Sequence, residues 1–147
     1  MASAFGIPLA PATHFLKVDV GPVWLVGEMS DARSLAALKP DMTALAEWTT
    51  SLSATGVTVF APSGEPGCAF HVRSFAPAHG IPEDPVCGSG NVSVAAYLRH
   101  FGRAPERYMT RQGMQLRRDG RVSLRVAGGD IWLGGEAVTC VEGKLKD

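Results

Sequence analysis

Apolar and polar positions change period several times along this chain, and each change marks an element. Phe15-Leu-Lys-Val-Asp-Val20 and Val23-Trp-Leu-Val-Gly-Glu28 are short β-rich runs parted by Gly21-Pro22, so they read as paired strands. Asp31 is placed to cap a helix over Ala32 to Leu38. Asp41, after Pro40, is placed to cap a second, in which Leu45, Trp48 and Leu52 recur at three and four before Gly56 ends it. Val57 to Phe60 and Cys68 to Phe75 read as strands on either side of the loop Pro62 to Gly67. Ala69, His71 and Arg73 alternate there with Phe70, Val72 and Phe75, which predicts one buried face. A helix over Ser89 to Phe101 gathers Val92, Ala95, Ala96 and Leu98 on one side, carries no charge from Asn91 to Leu98, and stops at Gly102. Beyond it, Asp119-Gly120 is a type I′ hairpin signal between strands Gln112 to Arg117 and Arg121 to Val126. Ile131 to Leu133 and Ala137 to Val141 complete the set. Strands outnumber helices and bracket one uncharged helix, so the pattern predicts an α+β fold with a mixed or antiparallel sheet rolled around that helix.

Length and charge narrow the function classes. A chain of 147 residues fits one domain and buries about two-thirds of its unfolded surface, enough to need no disulfide or metal. Fourteen basic and fourteen acidic side chains cancel, and no basic run marks a surface for nucleic acid or an anionic membrane. No apolar stretch approaches the roughly twenty residues of a membrane span, and a signal sequence is not evident, so the expected location is cytoplasmic. Cys68, Cys87 and Cys140 are odd in number and widely spaced, which argues against a disulfide framework or a zinc site. No metal or cofactor is expected, since metal-ligand clusters, phosphate loops and dinucleotide fingerprints are all missing from the sequence.

One segment states a chemistry. Glu83-Asp-Pro-Val-Cys-Gly-Ser-Gly-Asn91 sets two carboxylates, a thiol, a hydroxyl and two glycines ahead of the uncharged helix. A helix start leaves backbone N–H groups unpaired and carries partial positive charge, so a small carboxylate can dock there, with Gly88 and Gly90 admitting it closely. Cys87 at that end would be a stabilised thiolate, able to serve as acid or base and to react faster with an alkylator than Cys68 or Cys140. Asp84 could equally tie the loop together through Asx-type hydrogen bonds ahead of Pro85. Asn91, in the first helical turn, could cap or donate to an anion. Trp24, Trp48 and Trp132 read as single core or interface aromatics.

The longer run Phe75-Ala-Pro-Ala-His-Gly-Ile-Pro-Glu-Asp-Pro-Val-Cys-Gly-Ser-Gly90 resembles the signature of the phenazine-biosynthesis isomerase-like proteins, which share the diaminopimelate epimerase fold. Asp19 to Val26, Arg111 to Arg118 and Gly134 to Gly143 resemble, in the same order, the opening strands, a Gln-Gly strand and the closing strands of that family's second domain. The resemblance implies a single lobe over residues 1–147, a curved sheet wrapped around the helix of Ser89 to Phe101. It also implies only half of a family member, whose active site lies in the cleft between two similar domains. The first domain's glutamate and histidine have no counterpart here, and Met1 to Leu9 reads like the inter-domain connection of either a stand-alone half or a fragment.

From that resemblance, Asp84 and Ser89 are the candidates at the substrate. Cys87 stands where the family more often has threonine, yet related epimerases and racemases carry a catalytic cysteine before the same Gly-Ser-Gly or Gly-Thr-Gly. Cys87, Asp84 and Ser89 are therefore the candidate catalytic residues, and Glu83, Gly88, Gly90 and Asn91 the candidate substrate contacts. Arg73 is expected to brace the Asp84 loop. Two readings follow. The first is a cofactor-independent isomerase or epimerase acting on a small carboxylate-bearing metabolite, completed as a homodimer in which two Cys87 thiols face each other. The second is a non-catalytic half-domain that binds a small anion, oligomerises or holds a partner.

Overall fold

The structure, a computed structural model, describes Phe5 and residues 14–145. The segment Met1 to Leu9, read above as a connection, lies outside the described residues except for Phe5. Strands β1 (Phe15–Asp19) and β2 (Val23–Glu28) pair antiparallel, as their pattern predicts. Helix α1 (Ala32–Ala37) starts at Asp31, which accepts the Ser34 amide at 2.8 Å. Helix α2 (Met42–Ser51) starts at Asp41, which accepts the amides of Thr43 and Ala44 at 3.0 Å. Both caps satisfy amides that a helix start otherwise leaves open. Strand β3 (Gly56–Pro62) runs parallel to β2, and β4 (Phe70–Ala76) antiparallel to β3. Strand β5 (Ile81–Asp84) folds onto β4 and leads into helix α3 (Gly88–His100). Then β6 (Arg107–Gln112) lies parallel to β4, and β7 (Gly120–Ala127) and β8 (Asp130–Gly134) follow antiparallel.

The strand order β1-β2-β3-β4-β6-β7-β8, with β5 on β4, makes one mixed sheet, and α3 touches strands near both of its ends. The sheet therefore curls around α3. Trp24, Val26, Phe60 and Val72 pack with Val94 and Leu98 on the α3 side. Leu25, Val57, Val59 and Phe75 pack with Leu35 and Leu45 on the opposite side, under α1 and α2. Helix α3 is buried along most of its length, which is why it carries no charge before Arg99. No helix among the described residues is long and apolar enough to cross a membrane.

Four local expectations give way. Strand β4 is buried on both faces, because α1 and α2 cover the side that carries Arg73. Arg73 is buried with Glu83, which it holds through both carboxylate oxygens at 2.8 and 2.9 Å, and its remaining donor reaches the carbonyls of Leu35 and Leu38 at the end of α1. A cation fits there because the last carbonyls of a helix are unpaired and carry partial negative charge. The strand expected over Gln112 to Arg117 lies earlier, and the connection to β7 is a seven-residue loop over 113–119, not a two-residue hairpin. Its cause is Gly113, whose φ of 91° turns the chain and whose missing side chain leaves room for the Pro85 carbonyl 2.5 Å from where a Cβ would lie. Leu52 caps α2 and is exposed rather than part of its apolar stripe. Residues Ala137 to Val141 form no strand and lie exposed.

Candidate active site

The segment that carries the chemistry runs down β5, turns at Pro85-Val86 and enters α3. Adjacent carboxylates go different ways. Glu83 turns to Arg73 and is nearly sealed from solvent, with 9% side-chain exposure. Asp84 folds back on its own turn, where one carboxylate oxygen accepts the Val86 amide at 2.9 Å and the other has no partner among the described residues. The Asx-type bond and an open oxygen thus coexist on one side chain.

Cys87 is the residue ahead of the helix, in an extended conformation, with its sulfur accepting the Gly90 amide at 3.3 Å. Gly90 sits so close to β3 and β4 that an added Cβ would lie 2.5 Å from Ser74 Oγ and 2.9 Å from Thr58 Oγ1, so only glycine fits without a shift. Ser89 Oγ lies 3.7 Å from the sulfur and accepts the Trp24 indole N–H at 3.1 Å. The hydroxyl thus accepts from Trp24 and can donate toward the Cys87 sulfur. Asn91 is fully buried and its amide is used within the protein. It donates to the Cys87 carbonyl and to Gln112 Oε1, both at 2.8 Å, and accepts from Thr110 Oγ1. Gln112 Nε2 in turn donates to the Asp84 carbonyl at 2.8 Å. Two buried amides therefore hold the loop from beneath at both ends.

What remains open is the helix start. The amides of Gly90 and Asn91 are taken by Cys87, whereas those of Gly88 and Ser89 have no hydrogen-bond partner among the described residues. Gly88 is exposed, and beside it opens a cavity of about 430 Å³ lined by Val86, Arg121, Leu133 and Glu136. Arg121 brings positive charge to that space, although Glu65 and Asp119 share it at 3.1 and 3.0 Å.

The electrostatics of Cys87 reverse the thiolate expectation. Burial pushes its thiol up, the nearby Asp84 charge adds to this, and hydrogen bonds from the Gly90 amide and Ser89 only partly oppose it. The thiol is 5% exposed and keeps its proton at neutral pH, so Cys140, which is exposed, is the accessible thiol of the chain. Desolvation outweighs the helix dipole here because the sulfur points into its own lobe, between Gly90 and the β4 residue Ser74.

The other polar candidates separate cleanly. His79 is exposed on a short turn over Pro77–His79, and His71 pairs with Glu65 and Ser63 on the far face of the sheet. No group of three or more metal-binding side chains occurs among the described residues. The sequence pattern placed Trp24 among single core or interface aromatics and gave no site role to Thr110 or Gln112. The signal for the last two is parity: on β6 they alternate in step with the buried Tyr108 and so point toward α3.

The chain belongs to the phenazine biosynthesis-like protein family, whose pattern it matches over residues 10–143. It is 34% identical to antisense-enhancing sequence 1 of Schizosaccharomyces pombe, over 97% of this chain and 51% of that protein. It is 39% identical to an uncharacterized isomerase of Deinococcus radiodurans, over 69% of this chain and 30% of that protein. Among solved structures it resembles the phenazine biosynthesis protein of the PhzF family from Bacillus anthracis, with a TM-score of 0.72 at 18% identity over 84% of this chain and 44% of that one. A predicted epimerase of Pseudomonas aeruginosa gives a TM-score of 0.67 at 25% identity, over 96% and 51%. The chain spans about half the length of the first of these relatives and of the solved chains. Its fold is the curved sheet around a central helix that the resemblance implied.

Proposed function

We propose that this chain is one half of a cofactor-independent isomerase that moves a proton on the carbon next to a carboxylate, with a second copy completing the active site. The observation that carries this reading is the open start of α3, where the Gly88 and Ser89 amides stand unpartnered among the described residues beside a cavity of about 430 Å³. A substrate carboxylate fits there, held by the two amides at the positive end of the helix. The open oxygen of Asp84 takes the proton from the adjacent carbon. The electron pair of the broken C–H bond moves onto the substrate carboxylate, and the helix start stabilises the added charge. A proton returned to the same carbon from the opposite side, by an acid of the second copy, gives the isomer.

Within this scheme Cys87 is a positioning residue. Its sulfur fixes Gly90 and stands behind Ser89, while its raised ionisation keeps it from acting as a base at neutral pH. Glu83 and Asn91 likewise shape the loop through Arg73 and Gln112. The names of the Deinococcus and Pseudomonas relatives, an isomerase and an epimerase, support the class of reaction.

The test is proton NMR in deuterium oxide on a panel of small α-hydroxy and α-amino acids with the whole chain. Loss of the α-proton signal of at least one acid is expected. The protonated Cys87 and the half-length match favour a second reading, a non-catalytic anion-binding half-domain, which predicts carboxylate binding with no exchange in any acid.

A further inference from the structure

Rows of side chains cross β6, β7 and β8 on the face turned away from α3, because their residues alternate along the strands with Tyr108, Val122 and Leu124, which are buried in the core around that helix. The first row is Arg107, Arg125 and Trp132, and the second is Met109, Ser123 and Gly134. A third sets Arg111 opposite Arg121. The two arginine pairs are treated differently. Arg111 and Arg121 are both answered by Glu65 and Asp119, at 2.9 and 2.6 Å for the first and 3.1 and 3.0 Å for the second. Arg107 and Arg125 have no acidic partner among the described residues, although like charges directly opposite each other weaken a sheet.

Beside the unanswered pair stands a flat apolar surface over a hollow. Trp132 is 56% exposed, and the Arg125 guanidinium lies 5.2 Å from the centre of its ring. The second row is low, since Gly134 has no side chain and an added Cβ would lie 2.7 Å from Ser123 Oγ. A cavity of about 480 Å³ opens there, lined by both arginines, Met109 and Trp132, and lies within the roughly 300–1,000 Å³ of small-molecule sites.

We propose that this face binds a small ligand that joins a planar ring to a phosphate, as a mononucleotide does. Charge chooses the phosphate: one carboxylate fills a single guanidinium fork, whereas a phosphate monoester offers three oxygens and a charge of about −2 to two forks side by side. Trp132 chooses the ring, because an exposed indole next to cations stacks a heteroaromatic plane without reading its edge. The count of cations sets the size. Only these two arginines on the face lack a counter-ion among the described residues, so one phosphate saturates it, and a nucleic-acid strand, which needs a run of such contacts, is not its occupant. The site lies across the sheet from the start of α3 and stands apart from the proposed reaction.

The test is titration of the ¹⁵N-labelled whole chain with adenosine monophosphate. Saturable shifts are expected at the Trp132 indole N–H and along β6 and β7, with the Trp24 indole unmoved. Adenosine and inorganic phosphate, each alone, should bind at least tenfold more weakly. Arg107→Gln should weaken the nucleotide at least tenfold while its urea midpoint holds or rises, since the opposed charge has gone. Trp132→Leu should weaken the nucleotide at least fivefold and leave inorganic phosphate unchanged, and Lys39→Ala, a loss of charge on the segment after α1, should alter neither by more than twofold. No saturable shift at millimolar nucleotide, or equal binding in Arg107→Gln, overturns the proposal. So does a response confined to Gly88 and Ser89, which puts the phosphate at the start of α3, or a single-stranded oligonucleotide that binds more tightly than the mononucleotide.

Discussion

Asp84→Asn is expected to lower the rate of α-proton exchange by about 10²–10⁴-fold, the range for losing a positioned acid or base. The asparagine oxygen can still accept the Val86 amide, so the turn that enters α3 survives and the melting temperature should hardly move. Asp84→Ala removes both functions and should lose stability as well as rate. The two variants thus separate the carboxylate's chemistry from its part in the turn. Binding of the carboxylate ligand should tighten in Asp84→Asn, because a negative charge beside the anion site has gone. An asparagine variant that exchanges within twofold of the wild type would remove Asp84 from the mechanism.

The largest effect on stability is expected from Glu83→Ala. Arg73 and Glu83 are 5% and 9% exposed, and removing the carboxylate strands a buried guanidinium, which typically costs about 3–5 kcal/mol. Urea unfolding should register this as a lower midpoint at unchanged slope. A double variant, Glu83→Leu with Arg73→Met, should recover part of the loss. It cannot recover all of it, because Arg73 also satisfies the carbonyls of Leu35 and Leu38. A loss below about 1 kcal/mol for Glu83→Ala would show the pair to be far better solvated than its burial implies.

Most of the architecture was legible because local signals and burial agree. Asp31 and Asp41 cap their helices, Gly21-Pro22 separates paired strands, and the uncharged run from Asn91 to Leu98 lies in the core. Two of the misreadings share one cause, long-range contact. Alternation put only one face of β4 in the core, whereas the face that carries Arg73 is covered as well, where Glu83 and the end of α1 meet it from distant parts of the chain. The strand at Gln112 ends early because Gln112 and Gly113 engage the motif loop, a contact no local pattern reveals. β5 was hidden by Pro82 and a lack of alternation, which a short edge strand tolerates.

The same division holds at the site. The position of Cys87, Gly88 and Ser89 at a helix start could be read from glycine spacing and the run that follows. The state of the thiol could not, because it depends on how deeply β3 and β4 enclose it. Nor could the bond from Trp24 to Ser89, since those residues are 65 positions apart.

The central claim is that the start of α3 holds a small carboxylate. Titrating the ¹⁵N-labelled chain with a small α-hydroxy acid, and separately with its uncharged amide, tests it without requiring turnover. The account predicts saturable shifts largest at the Gly88 and Ser89 amides, a smaller response at the Trp24 indole N–H through Ser89, and no comparable effect from the amide compound. Shifts confined to other regions, or an identical response to acid and amide, would contradict it.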